Sequence, residues 1–161
     1  MTTMTIDKAS TCGRVLTEGY GSGAWHGPDL KAALTEVSEA DAFWRPGEGR
    51  HNIAEIALHH AYCARGVYAK ISGNDPGPFV LEGDDWFELP DASRLSWKKI
   101  QELVETEQHR LATVDQDIAR GALTSPLSQA ERFDLILGIT CHAVYHAGQI
   151  QLVKRLRTPD L

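Results

Sequence analysis

The sequence predicts an all-α fold, a four-helix bundle in which a long crossover joins the second and third main helices. Apolar residues recur at three- and four-residue spacing through long stretches of the chain, and glycine and proline clusters end these stretches. No stretch shows a convincing strand pattern, and the sequence has no internal repeat. Together these features favour amphipathic helices that pack on one another around one core.

The first half of the chain is predicted to hold a short helix and two of the four main helices. The short helix lies within residues 1–24 and ends before a glycine-rich loop. The first main helix is predicted from about Pro28 to Ala42, because proline is well tolerated in the first turn of a helix. The second is predicted from His51 to Ile71, and the turn-forming residues 73–78 end it.

The second half is predicted to begin with the crossover, which runs without a sustained period to about Asp91. A third helix follows from Ser96 to Gly121, where apolar residues recur at helical spacing. The last helix begins near Ser128, which has Glu131 three residues later in the pattern of a capping box, and continues to Thr158.

Length and composition indicate a globular protein. The 161 residues fit one domain, predicted as a single helical bundle over residues 1–161. Hydrophobic residues make up 42% and charged residues 24% of the chain, close to the average for folded domains. We therefore expect one core and one site.

Charge and sequence patterning exclude several partners. The net charge of -6 argues against a surface that neutralises nucleic-acid phosphates. No stretch has the roughly 20 apolar residues that span a bilayer, and the first residues lack the apolar segment of a signal peptide. Three cysteines without a C-x-x-C pair suggest reduced thiols. A cytoplasmic protein with neither a nucleic-acid nor a membrane partner is predicted.

Two histidines on the last helix are candidate metal ligands. His142 and His146 lie four residues apart, so both imidazoles leave the same face of the helix. Leu135, Ile139 and Val153 mark this face as buried. Buried imidazoles need partners for their ring nitrogens, and a metal ion supplies one. Core histidines that are satisfied by other side chains remain the alternative for a pair alone.

A third ligand is expected from the second helix, where His59 and His60 stand side by side. Three imidazoles on two helices would form an open metal site in the bundle interior. Helix phase slightly favours His60, which lies nearer the centre of the apolar stripe, while His59 lies at its edge. Either residue can complete the site on spacing alone.

These residues resemble the DinB/YfiT-like superfamily of metal-dependent enzymes, which are four-helix bundles with a three-histidine site. The stretch from His142 to Ile150 is similar to that family's last-helix motif, H-x-x-Y-H-x-G-Q-I, and residues 51–59 resemble its second-helix motif. The resemblance extends from about residue 20 to the C-terminus. It implies that His59 is the first ligand, beside His142 and His146, in place of His60.

The resemblance and the chemistry of the site suggest further roles. Glu55, one turn before His59, is a candidate catalytic residue as a proton carrier or an acceptor for a ligand. Gln149, which belongs to the resembling motif, is a second candidate that can orient a ligand or a substrate. Tyr145 and Cys141 point away from the histidine face, and both are expected to be packed side chains.

One divalent transition metal, zinc or nickel, is the expected cofactor, because both accept imidazole ligands. Three ligands leave an open position at which such an ion can activate water or a thiol. The resemblance implies a metal-dependent hydrolase or thiol transferase that acts on a small molecule, with a low-molecular-weight thiol as the partner substrate and a homodimer as the assembly. The alternative is a non-catalytic, stress-related helical bundle in which the metal only joins two helices.

Overall fold

The computed structural model describes residues 11–21 and 23–158, and these residues form helices without any strand. The helices are α1 (Thr11–Gly19), α2 (Leu30–Leu34), α3 (Glu39–Ala42), α4 (Ile53–Ser72), α5 (Trp97–Ala119) and α6 (Gln129–Arg157). The predicted all-α class is confirmed. The exact bundle topology and the extent of the domain stay predictions. None of the described helices has the length and apolar character needed to cross a membrane.

The first predicted main helix, Pro28 to Ala42, is wrong as a single element, because the structure has two short helices there. Thr35 ends α2 in an extended conformation, and Glu36 has a positive φ of 60°. Ser38 then begins α3 as an N-cap, since its hydroxyl accepts a hydrogen bond from the backbone N–H of Asp41. The prediction missed the break because the apolar spacing continues through this segment, although Ser38 is a residue type that favours an N-cap.

The second and last predicted helices are confirmed as α4 and α6, within a residue or two at their ends. A capping box begins each helix: Asn52 and Glu55 satisfy each other's backbone N–H at α4, and Ser128 and Glu131 do so at α6. Gly73 ends α4 with a φ of 72°, a left-handed conformation that glycine adopts without strain. These caps fix the residue at which each helix begins, and therefore the position of its histidines along the helix axis.

The core lies between α4 and its neighbours, because α4 packs against both α5 and α6. Helix α1 packs on α6 at Gly19, where an added Cβ would lie 3.1 Å from Ala143 Cβ and 3.2 Å from the carbonyl oxygen of Thr140. Only a glycine allows this approach without a shift of one helix. The contacted residues lie on either side of His142 in the sequence, so the contact holds α6 in place where the histidine pair begins.

Residues 73–96, which join α4 to α5, are tied to α4 near their start. The guanidinium of Arg65, a residue in the middle of α4, donates hydrogen bonds to the carbonyl oxygens of residues 76–78. The same group pairs with the carboxylate of Glu107 on α5 at 2.9 Å. Arg65 and Glu107 are both buried, so each charge needs the other to offset its loss of hydration.

The connection is tied a second time, to the start of α4. The side-chain amide of Asn52 donates to the carbonyl oxygen of Leu89 at 2.8 Å, and the backbone N–H of Leu89 donates to Glu55 at 3.0 Å. The chain between these two attachments passes over the middle of α4. Asp85 and Trp86 lie on this stretch, which brings them to the histidines.

Candidate metal centre

The Nε2 atoms of His59, His142 and His146 converge at one point between α4 and α6. The Nε2 atom of His142 lies 3.0 Å from that of His59 and 3.0 Å from that of His146. His59 and His146 are buried, and His142 is partly exposed. A divalent ion that binds imidazole needs distances of about 2.0–2.1 Å to each nitrogen, and the cluster is close enough to provide them.

Two of these rings are held by oxygen atoms at their other nitrogen. His59 Nδ1 lies 2.8 Å from the carbonyl oxygen of Asp85, and His146 Nδ1 lies 2.6 Å from the Oε1 atom of Gln149. A carbonyl or amide oxygen only accepts hydrogen bonds, so both rings carry their proton on Nδ1. Their Nε2 lone pairs therefore face the centre of the cluster.

The third ring is held by His60, the neighbour of His59. His142 Nδ1 lies 3.1 Å from His60 Nδ1, and His60 Nε2 lies 3.2 Å from the Oε1 atom of Gln108. The amide oxygen fixes the proton of His60 on Nε2, which leaves its Nδ1 to accept from the Nδ1–H of His142. The Nε2 lone pair of His142 is then also turned to the centre.

Three histidines at the centre, His60, His142 and His146, have lowered pKa values and are neutral near pH 7. Complete burial, and after it the nearby His142, lowers the pKa of His60 to about 3. Burial and the neighbouring His146 lower the pKa of His142 to about 4, and burial also lowers the pKa of His146. Metal ligands must be unprotonated, so these pKa values favour metal binding at neutral pH.

This donor set fits a divalent transition metal. The outer hydrogen bonds leave three Nε2 lone pairs with no proton between them, and His142 Nε2 lies 3.0 Å from each of the other two Nε2 atoms. Three acceptors that face one another repel, and a cation placed among them removes the repulsion. His59 with its two α6 partners can therefore hold such an ion, and their all-nitrogen chemistry suits zinc or nickel.

Trp86 forms one wall of the centre. Its indole lies between the rings of His51 and His59, with centroid distances of 3.8 and 3.9 Å and interplanar angles of 8° and 7°. The indole thus covers one face of a metal ligand and excludes water from it. The preceding residue, Asp85, has a φ of 62°, a left-handed conformation that aspartate tolerates better than most residues.

A second group of potential ligands shares His59 with the first. Cys63 Sγ lies 3.9 Å from each ring nitrogen of His59, and Asp85 Oδ1 lies 3.2 Å from its Nδ1. Burial, and after it the charge of Asp85, raises the pKa of Cys63 to about 11, which disfavours the thiolate that a metal requires. A neutral imidazole offers one lone pair, so His59 serves one of the two groups, and the three-histidine group is the better formed.

A family model of the DinB superfamily matches residues 24–150, which include all three converging histidines. The chain belongs to the DinB superfamily. No curated protein and no solved structure matches the chain significantly. The predicted resemblance is thereby confirmed at the level of the superfamily.

Glu55, one of the two predicted catalytic residues of this DinB chain, lies at the start of α4 and is buried. Its carboxylate accepts hydrogen bonds from Arg45, from the backbone of Leu89 at 3.0 Å and from the ring of His51 at 3.0 Å. Burial raises the pKa of Glu55, but the hydrogen bonds from Arg45, Leu89 and His51 outweigh it and hold the pKa below its ordinary value. Through these contacts Glu55 anchors the start of α4 to the segments that precede and follow the helix. A catalytic role for Glu55 stays a prediction.

Gln149, the other predicted catalytic residue, bridges a ligand and the surface. Its Oε1 atom holds His146, and its Nε2 atom donates to the hydroxyl of Tyr145 at 3.1 Å. The prediction that Tyr145 and Cys141 are packed is wrong, because Tyr145 is 63% exposed and Cys141 is exposed too. Both lie on the side of α6 that faces away from the other described helices.

Four residues of this DinB site were not predicted in the roles that they have. Sequence reasoning placed His60 in the core, correctly, but did not connect it with His142. Gln108 could have been found from the sequence, because it is a polar residue between Val104 and Leu111 on the apolar face of α5 and so needs a buried partner. Trp86 lies in a stretch without period, and Asp85 acts through its backbone, so neither leaves a pattern in the sequence.

Proposed function

We propose that this DinB superfamily protein is a metal-dependent enzyme, a hydrolase or a thiol transferase, that acts on a small molecule. The observation that carries the proposal is the convergence of three imidazoles whose outer nitrogens all have partners. Zinc or nickel is the proposed metal, and a low-molecular-weight thiol is the proposed co-substrate. When bound, such an ion polarises an electrophile and lowers the pKa of water or of a thiol.

The residues around the centre position the ligand rings and exclude water from them. His59 is held by the Asp85 carbonyl and covered by Trp86, so its ring cannot rotate without breaking both contacts. His142 is the more exposed of the ligands, which supports an approach for the substrate on its side. Any proton transfer that involves Glu55 runs through His51, whose ring is the half-exposed partner of the buried carboxylate.

The first test of the proposal is metal binding. Titration calorimetry with Zn²⁺ and with Ni²⁺ is expected to give one ion per chain for the parent protein and a loss of binding for His142→Ala. His26→Ala is the control, because His26 lies on the loop that follows α1 and bonds to the carbonyl oxygen of Glu18. Equal binding by the parent and by His142→Ala would contradict a three-histidine site.

The second test is turnover. Metal-loaded protein is expected to join a cellular thiol to a model electrophile, or to hydrolyse a model ester or amide, at a rate that His142→Ala abolishes. Loss of activity on chelation and its return on addition of the metal would show that the ion takes part. A metal-loaded protein that turns over none of these substrates would contradict the enzymatic proposal and leave metal binding intact.

The burial of the site favours one second candidate, a non-catalytic, stress-related module in which the ion joins α4 to α6. Two of the three ligands are at most 6% exposed, so the ion would lie mostly inside the protein. A structural ion of this kind stabilises the folded chain, because it binds the native state only. An ion that raises the melting temperature strongly, without exchangeable water and without turnover, would support this candidate over the enzyme.

A further inference from the structure

His51, the residue before the N-cap of α4, is held by two contacts although its side chain is 47% exposed. Its Nδ1 atom lies 3.0 Å from Glu55 Oε2, and its ring stacks on the indole of Trp86 at a centroid distance of 3.8 Å. The first contact fixes the direction of the ring nitrogens, and the second fixes the plane of the ring. A half-exposed side chain loses rotamer freedom when it is held in this way, and a fixed orientation is what a reaction requires of its proton acceptor.

Glu55 determines which ring nitrogen of His51 carries the proton. Burial raises the pKa of Glu55, but its hydrogen bonds, that from Arg45 first, hold the pKa below its ordinary value, so the carboxylate is ionised near neutral pH. An ionised carboxylate only accepts hydrogen bonds, and therefore the Nδ1–H of His51 donates to it. In the neutral ring the Nε2 atom then keeps a free lone pair, and none of the described residues forms a hydrogen bond with it.

Trp86 brings His51 to the edge of the metal centre. The indole has His51 on one face and His59 on the other, and the three ring planes are nearly parallel. The same indole meets the ring of His146 edge-on at a centroid distance of 6.0 Å. Burial first, and then the nearby His59 and His51, lower the pKa of His146, so His51 is close enough to act on the centre electrostatically. A molecule that is held at the three histidines and extends past the indole therefore reaches His51.

We infer that His51 is the proton acceptor of the reaction at the three-histidine centre, an inference that rests on the proposed function. Its Nε2 atom takes the proton from the O–H group of water or the S–H group of a thiol, and the electron pair of that bond forms the new bond to the electrophilic carbon. The leaving group departs with the electron pair of its own bond and receives the proton back from the imidazolium. His51 is neutral again at the end, and ionised Glu55 stabilises the imidazolium in between.

The other ionisable groups described around the centre are less suited to this task. Glu55 is 2% exposed and is paired with Arg45, so it acts through His51 and does not touch a substrate itself. Burial first, and then the charge of Asp85, raise the pKa of Cys63 to about 11, which leaves it a neutral thiol. The Oδ1 atom of Asp85 is directed at Nδ1 of His59, at 3.2 Å. His51 is thus the one of these groups that combines a free lone pair with access to solvent.

The first experiment locates the proton of His51 in the metal-free protein, without any substrate. Nitrogen-15 NMR of histidine-labelled protein distinguishes the two neutral forms of each ring, and the signals that are missing in His51→Phe identify this residue. We expect the neutral His51 ring to carry its proton on Nδ1. Glu55→Gln should weaken this preference, because an amide oxygen accepts the Nδ1–H less strongly than a carboxylate does. A neutral ring with its proton on Nε2 would overturn the proposal, since that nitrogen could then accept no proton.

The second experiment compares two variants that each keep one contact of His51. His51→Phe keeps a ring that can stack on Trp86, and His51→Gln keeps an N–H group that can donate to Glu55. Both variants are expected to bind zinc as the parent does. Both should turn over the model thiol and ester substrates about 100- to 10,000-fold more slowly than the parent, the usual loss when a general base is removed.

His26→Phe is the control for this comparison and should keep the parent rate, because His26 lies on the loop after α1 and its ring bonds to the carbonyl oxygen of Glu18. Parent-like turnover by either zinc-loaded His51 variant would overturn the role of His51 and leave the proposed function intact. A zinc-loaded parent that turns over none of the substrates would contradict the proposed function, and the inference about His51 with it.

Discussion

The Nδ1 atom of His142 lies 3.1 Å from the Nδ1 atom of His60, and only one of the two can carry a proton in that contact. Because Gln108 fixes the His60 proton on the opposite nitrogen, His142 donates and His60 accepts. The adjacent histidines of α4 therefore have separate tasks. His59 lies in the ligand cluster, and His60 orients a ligand of the other helix.

His60→Phe keeps an aromatic ring at this position, larger than the imidazole, and removes the acceptor for His142. We expect this variant to bind zinc about 10- to 100-fold more weakly, as is usual when a partner behind a ligand is lost. The measurement is competition with a chelator of known affinity, with His26→Ala as the control. Parent-like affinity in a folded His60→Phe protein would show that His142 needs no orienting partner.

Replacement of the bound ion by Co²⁺ distinguishes the two ligand groups that share His59. We expect the absorption of a nitrogen-ligated ion without a thiolate charge-transfer band, since burial holds Cys63 as a neutral thiol. Cys63→Ser is then expected to leave the spectrum unchanged. A near-ultraviolet band that disappears in Cys63→Ser would assign the ion to the group with Cys63 and Asp85 instead.

Trp86 reports on the centre because its indole is stacked on His59. We expect Ni²⁺ to quench part of the tryptophan fluorescence, since a paramagnetic ion would lie close to this ring. Trp86→Phe should remove most of the response, while Trp25→Phe should keep it, because Trp25 is 91% exposed on the loop after α1. An undiminished response in Trp86→Phe would place the bound ion elsewhere.

The stability of the metal-free protein should fall as the pH drops below about 6.5. The unfolded chain protonates His60 near its ordinary pKa of about 6.5, whereas the native state does so only near a pKa of about 3. The unfolded state thus binds more protons in this range, at a cost of up to about 1.4 kcal/mol per pH unit for this histidine. Urea unfolding between pH 4 and pH 8 measures the slope, which should be smaller in His60→Phe. Identical slopes would contradict a neutral, buried His60.

Glu55→Gln separates the anchoring of α4 from catalysis. The variant leaves Arg45 without its carboxylate, and because Arg45 is partly exposed we expect a loss of about 2 kcal/mol in the free energy of unfolding. Zinc affinity should change little, since Glu55 binds no ligand nitrogen in the cluster. Glu102→Gln, on the exposed side of α5, is the control and should cost less than about 0.5 kcal/mol. A loss of turnover per bound ion in Glu55→Gln would support the predicted catalytic role.

The helices and the ligand pair were predictable because they depend on local periods and caps. The apolar spacing located α4, α5 and α6, and the four-residue spacing placed His142 and His146 on one face. Periodicity also found that His60 is the more deeply buried of the two adjacent histidines. It could not assign the ligand, because ligation depends on where the ring nitrogens point and not on depth alone.

Other parts of the site depend on contacts between distant segments. The predicted first main helix hides a break at residues 35–38, where a cap outweighs the apolar spacing. Trp86 reaches His59 only because Arg65 and Asn52 fasten the connection at its two ends. These hydrogen bonds join residues that are 11 to 37 positions apart in the sequence, so no local sequence pattern predicts them.

The closer of the two Asp85 oxygens at His59 Nδ1 is the main-chain carbonyl oxygen, at 2.8 Å, with the side-chain Oδ1 at 3.2 Å. No side-chain replacement deletes the carbonyl oxygen, so a change at position 85 removes only the longer contact, that of Oδ1. What must be inherited is the number of residues on either side and a local geometry that accepts a positive φ. Insertions and deletions in this segment should therefore be far more harmful than point changes at the residue itself.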